Sequence, residues 1–159
     1  MSGLANDVKS ILLDREERVA IAESVTAGEI QSAFSYCENA LQFFEGGLTV
    51  YNVQQKINQL GVDAEYAHAC EGVSQKTAAE MAVSVSRMFQ TEWGISITGY
   101  ASPVPEKNIL QIFAWTALSH RGVVVSVLKI IPEPCTASSV RKFYTEKVFE
   151  IFLNVLRIE

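Results

Sequence analysis

The sequence predicts an α/β fold, a three-layer α/β/α sandwich around a mixed sheet, on three observations. Short, nearly all-apolar runs of strand length alternate with segments whose apolar residues recur at helical spacing. Two longer runs, LQIFAWTALS and VVVSVLKII, are separated only by His120, Arg121 and Gly122, which predicts an antiparallel hairpin. A final stripe of apolar residues after Ala137 has the length to lie across a sheet. With 159 residues and 48% apolar content the chain can bury one sizeable core, so a single domain over residues 1–159 is expected.

Taken in order, Val8, Ile11 and Leu12 mark a helix within the first 16 residues, and RVAIAES follows as a buried strand. Thr26 stands where it can cap a second helix through AGEIQSAFSY, and GGLTVY is enriched in residues suited to a strand. VQQKINQLG is a short helix stopped at Gly61. Ser74 caps the segment QKTAAEMAVSVSRMFQ, whose Ala78, Ala82, Val85 and Phe89 share one face. GISITGY reads as another buried strand, and the hairpin comes next. The closing helix aligns Val140, Tyr144, Val148, Ile151 or Phe152, and Val155, a stripe expected to dock on the sheet.

The charge balance, 13 basic against 18 acidic residues and a net charge of −5, leaves no electrostatic footprint for nucleic acid or an anionic membrane. No apolar run approaches the roughly 20 residues of a membrane helix, and MSGLANDVKSILLDREE lacks the basic and apolar regions of an export signal. A soluble, cytoplasmic protein is expected. Cys37, Cys70 and Cys135 are odd in number and widely spaced, which predicts reduced, mostly buried thiols and no zinc ribbon. His68 and His120 have no partner at ligand spacing and are assigned no function. Trp93, Trp115 and the phenylalanines fall in predicted elements, where core packing accounts for them.

In open α/β sheets ligands gather beyond the carboxyl ends of strands, where helix N-termini offer free N–H groups. AESVTAGE places Glu23, Ser24, Thr26 and Gly28 at one such exit, and ITGYASP places Thr98, Gly99 and Ser102 at another. GGLTVYNVQQK adds Tyr51, Asn52 and Lys56. A lysine of lowered pKa can act as base to a serine nucleophile without a histidine, which makes Ser24 and Lys56 a candidate dyad. Plainer roles compete: Ser24 as a turn residue, Lys56 as a solvated lysine, Tyr51 as core filler, Arg141 as a surface charge. Glu23 either orients Lys56 or is a plain polar residue at the sheet edge.

The motifs AES-x-T-x-G, GG-x-x-x-YN with a lysine four residues after the Asn, LGV, GVS and TG-x-A-x-P stand in one order between Val19 and Leu156. In that order and spacing the chain resembles the C-terminal domain of the CinA (competence/damage-inducible) family. The resemblance implies a nicotinamide mononucleotide deamidase, an amidohydrolase that turns the nucleotide's carboxamide into carboxylate and ammonia. It implies Ser24 as nucleophile and Lys56 as base with Tyr51 nearby, and it calls for no metal and no cofactor. Glu23, Thr26, Gly28, Asn52, Thr98, Gly99 and Arg141 would then bind the small-molecule nucleotide substrate.

The chain departs from the family pattern at several points. Val25 and Ala27 replace a Cys and a Gly, and Ala27 is strained if that position requires positive φ. The glycine-rich stretch after TG-x-A is shortened to SPVPEKNIL, and EPCTAS replaces a Gly-Asp-Arg before the last helix, although Arg141 remains slightly downstream. These losses motivate an alternative reading, a noncatalytic CinA-like homologue that binds a ligand or associates with protein. Small α/β domains with an exposed sheet edge commonly pair, so a homo-oligomer is expected.

Overall fold

The computed structural model of the protein describes residues 2–159. Five strands, β1 (Val19–Glu23), β2 (Phe44–Thr49), β3 (Trp93–Gly99), β4 (Ala114–His120) and β5 (Val123–Ile130), form one sheet in the order β2-β1-β3-β4-β5. β1 runs parallel to β2 and β3, while β4 is antiparallel to β3 and β5 antiparallel to β4, so the sheet is mixed. The α-helices among the described residues are α1 (Ser2–Asp14), α2 (Glu29–Ser35), α3 (Val53–Leu60), α4 (Ala64–Ala69), α5 (Gln75–Phe89) and α6 (Ala137–Ile158). No helix among the described residues is long and apolar enough to cross a membrane.

The central strands alternate by size as well as by face. Val19 and Ile21 of β1, and Trp93, Ile95 and Ile97 of β3, pack with α1, α2 and α6 through Val8, Leu12, Ile30, Phe34, Tyr144, Val148, Phe149 and Phe152. Each such side chain, fully buried, contributes roughly 1.5–3 kcal/mol relative to exposure. The opposite face offers small residues, Ala20 and Ala22 of β1 and Ala117 of β4, to Met81, Val85, Ala78 and Ala82 of α5. α5 therefore lies close: a Cβ on Gly94 would sit 2.0 Å from the Ala82 carbonyl oxygen. Ser96 and Ser119 hydroxyls donate to the Ala78 and Ala82 carbonyls at 2.6 and 3.0 Å, so the polar atoms of this face are paired.

The structure adjusts several expectations. Thr26 does not cap α2; Gly28 holds the N-cap position. A short helix, α4, fills the stretch after Gly61, capped by the Asp63 side chain, which accepts from the Tyr66 N–H. β4 begins at Ala114, because Ile109 pairs with Val104 in a small bridge and Leu110 is exposed. The hairpin turns on Arg121 and Gly122, both at positive φ (51° and 80°), as a two-residue turn of primed type demands. Phe152, not Ile151, completes the buried stripe of α6. Of the thiols only Cys37 is buried, and Cys135 is exposed.

His120 is not an isolated exposed histidine. Its ring stacks on Trp93 at 4.1 Å, Nε2 lies 2.9 Å from Glu17 and Nδ1 3.3 Å from Glu159. Trp93 Nε1 and Arg121 also donate to Glu17. Burial raises the Glu17 pKa, but hydrogen bonds from Trp93, His120 and Arg121 outweigh it and hold the carboxyl below its ordinary value. This knot joins the end of the hairpin to the start of β1, at the end of the sheet away from the strand exits described next.

Candidate active site

At the carboxyl end of β1 the chain leaves Glu23 and turns sharply through Ser24, Val25 and Thr26. The Ala27 N–H donates to the Ser24 carbonyl and the Glu29 N–H to the Thr26 carbonyl, at 3.0 and 3.1 Å. Ala27 and Gly28 are both left-handed, at φ 52° and 99°. That pair swings the start of α2 back over the strand end. The buried Glu23 carboxylate then accepts from the Ile30 and Gln31 N–H groups at 2.9 and 3.0 Å, and from the Gln31 amide and the Thr26 hydroxyl at 2.9 and 2.6 Å. An anion thus serves the positive end of α2 where no side chain occupies the usual capping position. Arg141 of α6 adds a third restraint, its Nε donating to the Val25 carbonyl at 3.0 Å.

Ser24 sits in this fixed turn, almost wholly buried. The β2–α3 connection brings Lys56 to it. Asn52 caps α3, its Oδ1 accepting from the Gln55 N–H at 2.9 Å, and Lys56 follows one turn later with its side chain 2% exposed. Lys56 Nζ donates to Ser24 Oγ at 2.9 Å and to the Val50 carbonyl at 3.0 Å. Burial pushes the Lys56 pKa down to about 8, slightly opposed by the nearby Cys70 thiol. A lysine so placed has a sizeable neutral fraction near neutrality, and its nitrogen is already within proton-transfer reach of a hydroxyl.

The pair opens on a cleft of about 360 Å³, within the roughly 300–1,000 Å³ of small-molecule sites. Ser24, Tyr51, Lys56, Glu71, Lys107 and Arg141 supply its polar wall. Tyr51 is exposed, not core, and its hydroxyl accepts from Arg141 Nη2 at 3.4 Å. Lys107 pairs with Glu71 across the mouth. Cations therefore outnumber the one carboxylate, and that carboxylate is paired.

The structure brings together Ser24, Lys56, Tyr51, Asn52, Gly99, Ser102 and Arg141 of the residues singled out in the sequence. Asn52 lines the cleft with its Oδ1 committed to the cap. Gly99 is small because a Cβ would lie 2.5 Å from Ala114 of the neighbouring strand. Glu23, Thr26, Gly28 and Thr98 are not among the residues lining the cleft. Glu23 neither orients Lys56 nor stands unpaired at a sheet edge; it anchors α2, and Thr26 bonds to it. Gly28 allows the left-handed turn. Thr98 is buried, and its hydroxyl donates to the Gly72 carbonyl at 2.6 Å. Glu71, Tyr100 and Lys107 line the cleft without having been singled out: Lys107 lies in the stretch SPVPEKNIL, which carries no glycine or other local signal of a ligand loop.

Comparison with known proteins adds a lineage to this geometry. The family model described as CinA C-terminal domain matches residues 1–155. A CinA-like protein of Synechocystis is 38% identical over 120 residues, covering 74% of this chain and 29% of its own length. Another, from Prochlorococcus marinus, is 39% identical over 100 residues, covering 63% of this chain and 24% of that protein. The chain therefore spans less than a third of the curated relatives it matches. Among solved structures, a competence or damage-inducible protein from Enterobacter asburiae superposes with TM-score 0.91 at 27% identity, covering 98% of this chain and 97% of that one. A CinA superfamily protein from Klebsiella pneumoniae shares the fold, with TM-score 0.93 at 23% identity over 99% and 98% of the two chains.

Proposed function

Since the chain belongs to the CinA C-terminal domain family, we propose that it is an amidohydrolase of the nicotinamide mononucleotide deamidase type, with Ser24 as nucleophile and Lys56 as base. The observation that carries this reading is the buried Lys56 Nζ held 2.9 Å from Ser24 Oγ by the Val50 carbonyl. Desolvating a lysine against a neutral hydroxyl and a carbonyl, with no carboxylate partner, costs stability, and groups perturbed in this way cluster at functional sites.

In the proposed reaction neutral Lys56 takes the Ser24 proton as Oγ attacks the carboxamide carbon. The ammonium so formed returns the proton to the departing nitrogen, releasing ammonia and leaving an ester on Ser24. Water, deprotonated by the same amine, attacks the ester carbon; the ester bond breaks, Ser24 recovers its proton from Lys56, and the pyridine carboxylate leaves. With the Lys56 pKa at about 8, roughly one protein in eleven carries the neutral base at pH 7 and ten in eleven at pH 9. Turnover should therefore climb about tenfold across that interval. Arg141 and Lys107 suit the phosphate of a mononucleotide, and Tyr51 and Tyr100 offer rings beside the pyridine.

The test is incubation of the purified protein with nicotinamide mononucleotide, reading ammonia and nicotinate mononucleotide together. Equimolar release of both is expected. Unchanged nucleotide with folded protein in excess would defeat the assignment and favour a homologue that only binds ligand or protein.

A further inference from the structure

The turn between α4 and α5, Cys70 to Val73, lies directly on the Lys56 side chain. A Cβ added to Gly72 would come within 3.0 Å of Lys56 Cδ and 3.4 Å of its Cε, so the Gly72 backbone forms one wall of the slot that holds the lysine stem. The turn is a helix C-terminus closed by its own backbone bonds, the Gly72 N–H donating to the Ala67 carbonyl at 2.7 Å and the Glu71 N–H to the His68 carbonyl at 3.4 Å. Glu71 and Gly72 are both left-handed, at φ 56° and 70°, and only the glycine adopts that region without strain. Those bonds fix the shape of the turn but not its seat on the Lys56 stem, and the interior contributes to that seat: fully buried Thr98, at the end of β3, donates its hydroxyl to the Gly72 carbonyl at 2.6 Å.

We propose that Thr98 is a positioning residue for the Ser24–Lys56 pair: by bonding the Gly72 carbonyl it clamps the α4–α5 turn onto the Lys56 stem and keeps water away from Nζ. The proposal deepens the amidohydrolase reading and rests on it for its kinetic consequence, though not for its physical one. With the clamp removed, the turn is free to lift from the Lys56 stem, the slot opens, and the ammonium regains hydration. Lys56 then holds its proton to higher pH, and less of the base is ready at neutrality. Other charged or titratable groups lie around Lys56, Cys70 and Glu71 within the turn itself and the rest on separate elements. Cys70 belongs to the same turn, Glu71 is exposed and paired with Lys107, and Tyr51, Tyr100 and Arg141 stand on the cleft wall. Tyr51, Tyr100 and Arg141 stand outside the turn; Cys70 moves with it, but its influence raises the Lys56 pKa, so its withdrawal cannot account for a further rise and hydration does.

The test compares wild type with Thr98→Val, which keeps the shape and loses the donor, and Thr98→Ser, which keeps the donor. Protein labelled with 13C at the lysine ε carbons is titrated by NMR, the Lys56 resonance being assigned from its absence in Lys56→Arg; the pH profile of kcat/KM is recorded alongside. In Thr98→Val the Lys56 titration and the acidic limb of the profile should move together to higher pH by at least one unit. That is an about tenfold loss at pH 7, recovered above pH 10. Thr98→Ser should follow the wild-type curve. If Thr98→Val does not fold, Thr98→Ala, which opens room for water at the same place, is read in its stead.

A folded donor-less variant whose Lys56 titrates as in wild type overturns the proposal. So does a loss of rate that is equal at all pH values, since that marks a general structural defect. Because the NMR titration needs no turnover, an inactive wild type would defeat the amidohydrolase reading and still leave the clamp decided on its own evidence.

Discussion

Replacing Lys56 by Met removes a charge whose burial costs stability, and the structure sets the size and the pH window of the effect. The Lys56 pKa falls from 10.5 to about 8 on folding, a displacement worth roughly 3 kcal/mol at 1.36 kcal/mol per unit. The unfolded chain binds the proton more tightly, so this penalty is present in full below pH 8 and is relieved as pH rises from 8 toward 10.5. Methionine fills a similar volume without the charge but forfeits the bonds to Ser24 and Val50, at about 1 kcal/mol each. The variant should therefore be more stable than wild type by about 1 kcal/mol at pH 7. By pH 9.5 wild type should have regained about 2 kcal/mol relative to it, enough to reverse the order. Urea unfolding followed by tryptophan fluorescence at the two pH values measures this, the comparison at each pH cancelling every other titrating group. A stability difference that stays constant between pH 7 and pH 9.5 would refute the claim that Lys56 is held desolvated.

Two backbone predictions test the scaffold that carries the pair. Ala27→Gly should stabilise the protein by about 0.5–1 kcal/mol, because an exposed alanine at φ 52° carries strain that glycine does not; a destabilised variant in urea unfolding would contradict this. Gly94→Ala should destabilise by about 3 kcal/mol or more, since the new methyl meets the Ala82 carbonyl at 2.0 Å and α5 must lift off the sheet; a loss under about 1 kcal/mol would show that α5 has room to move.

Much of the fold was legible because the strands carry their signal locally. In Trp93-Gly-Ile-Ser-Ile-Thr-Gly99 the run of apolar and small residues marks a strand buried on both faces. It does not say that the large side chains meet α6 and the small ones α5. Cap chemistry was readable at Ser74 and Gly61, where the partner is three or four residues away. It failed at Thr26, because the group that serves α2 is Glu23, brought there only by the left-handed turn at Ala27 and Gly28. AEYAHA was missed as a helix since six residues show too little periodicity.

The candidate site was legible in its membership more than in its geometry. Family motifs point to Ser24, Tyr51 and Lys56, yet nothing in the spacing of residues 24 and 56 fixes a distance between them. A lysine on a short amphipathic helix reads as solvated, and it is covered here by a turn 16 residues downstream that is itself bonded to Thr98. Thr98 and Glu23 carry the right chemistry for ligand contact and spend it on the scaffold. Glu71 and Lys107 belong to the cleft through a pairing across 36 residues that no local pattern announces.

The most direct measurement is ammonia release from nicotinamide mononucleotide by wild type beside Ser24→Ala, both checked for the native fold by circular dichroism. The account predicts release by wild type and a rate reduced to background in the variant, with its melting transition intact. Equal rates from the two proteins would remove Ser24 as the nucleophile and contradict the mechanism.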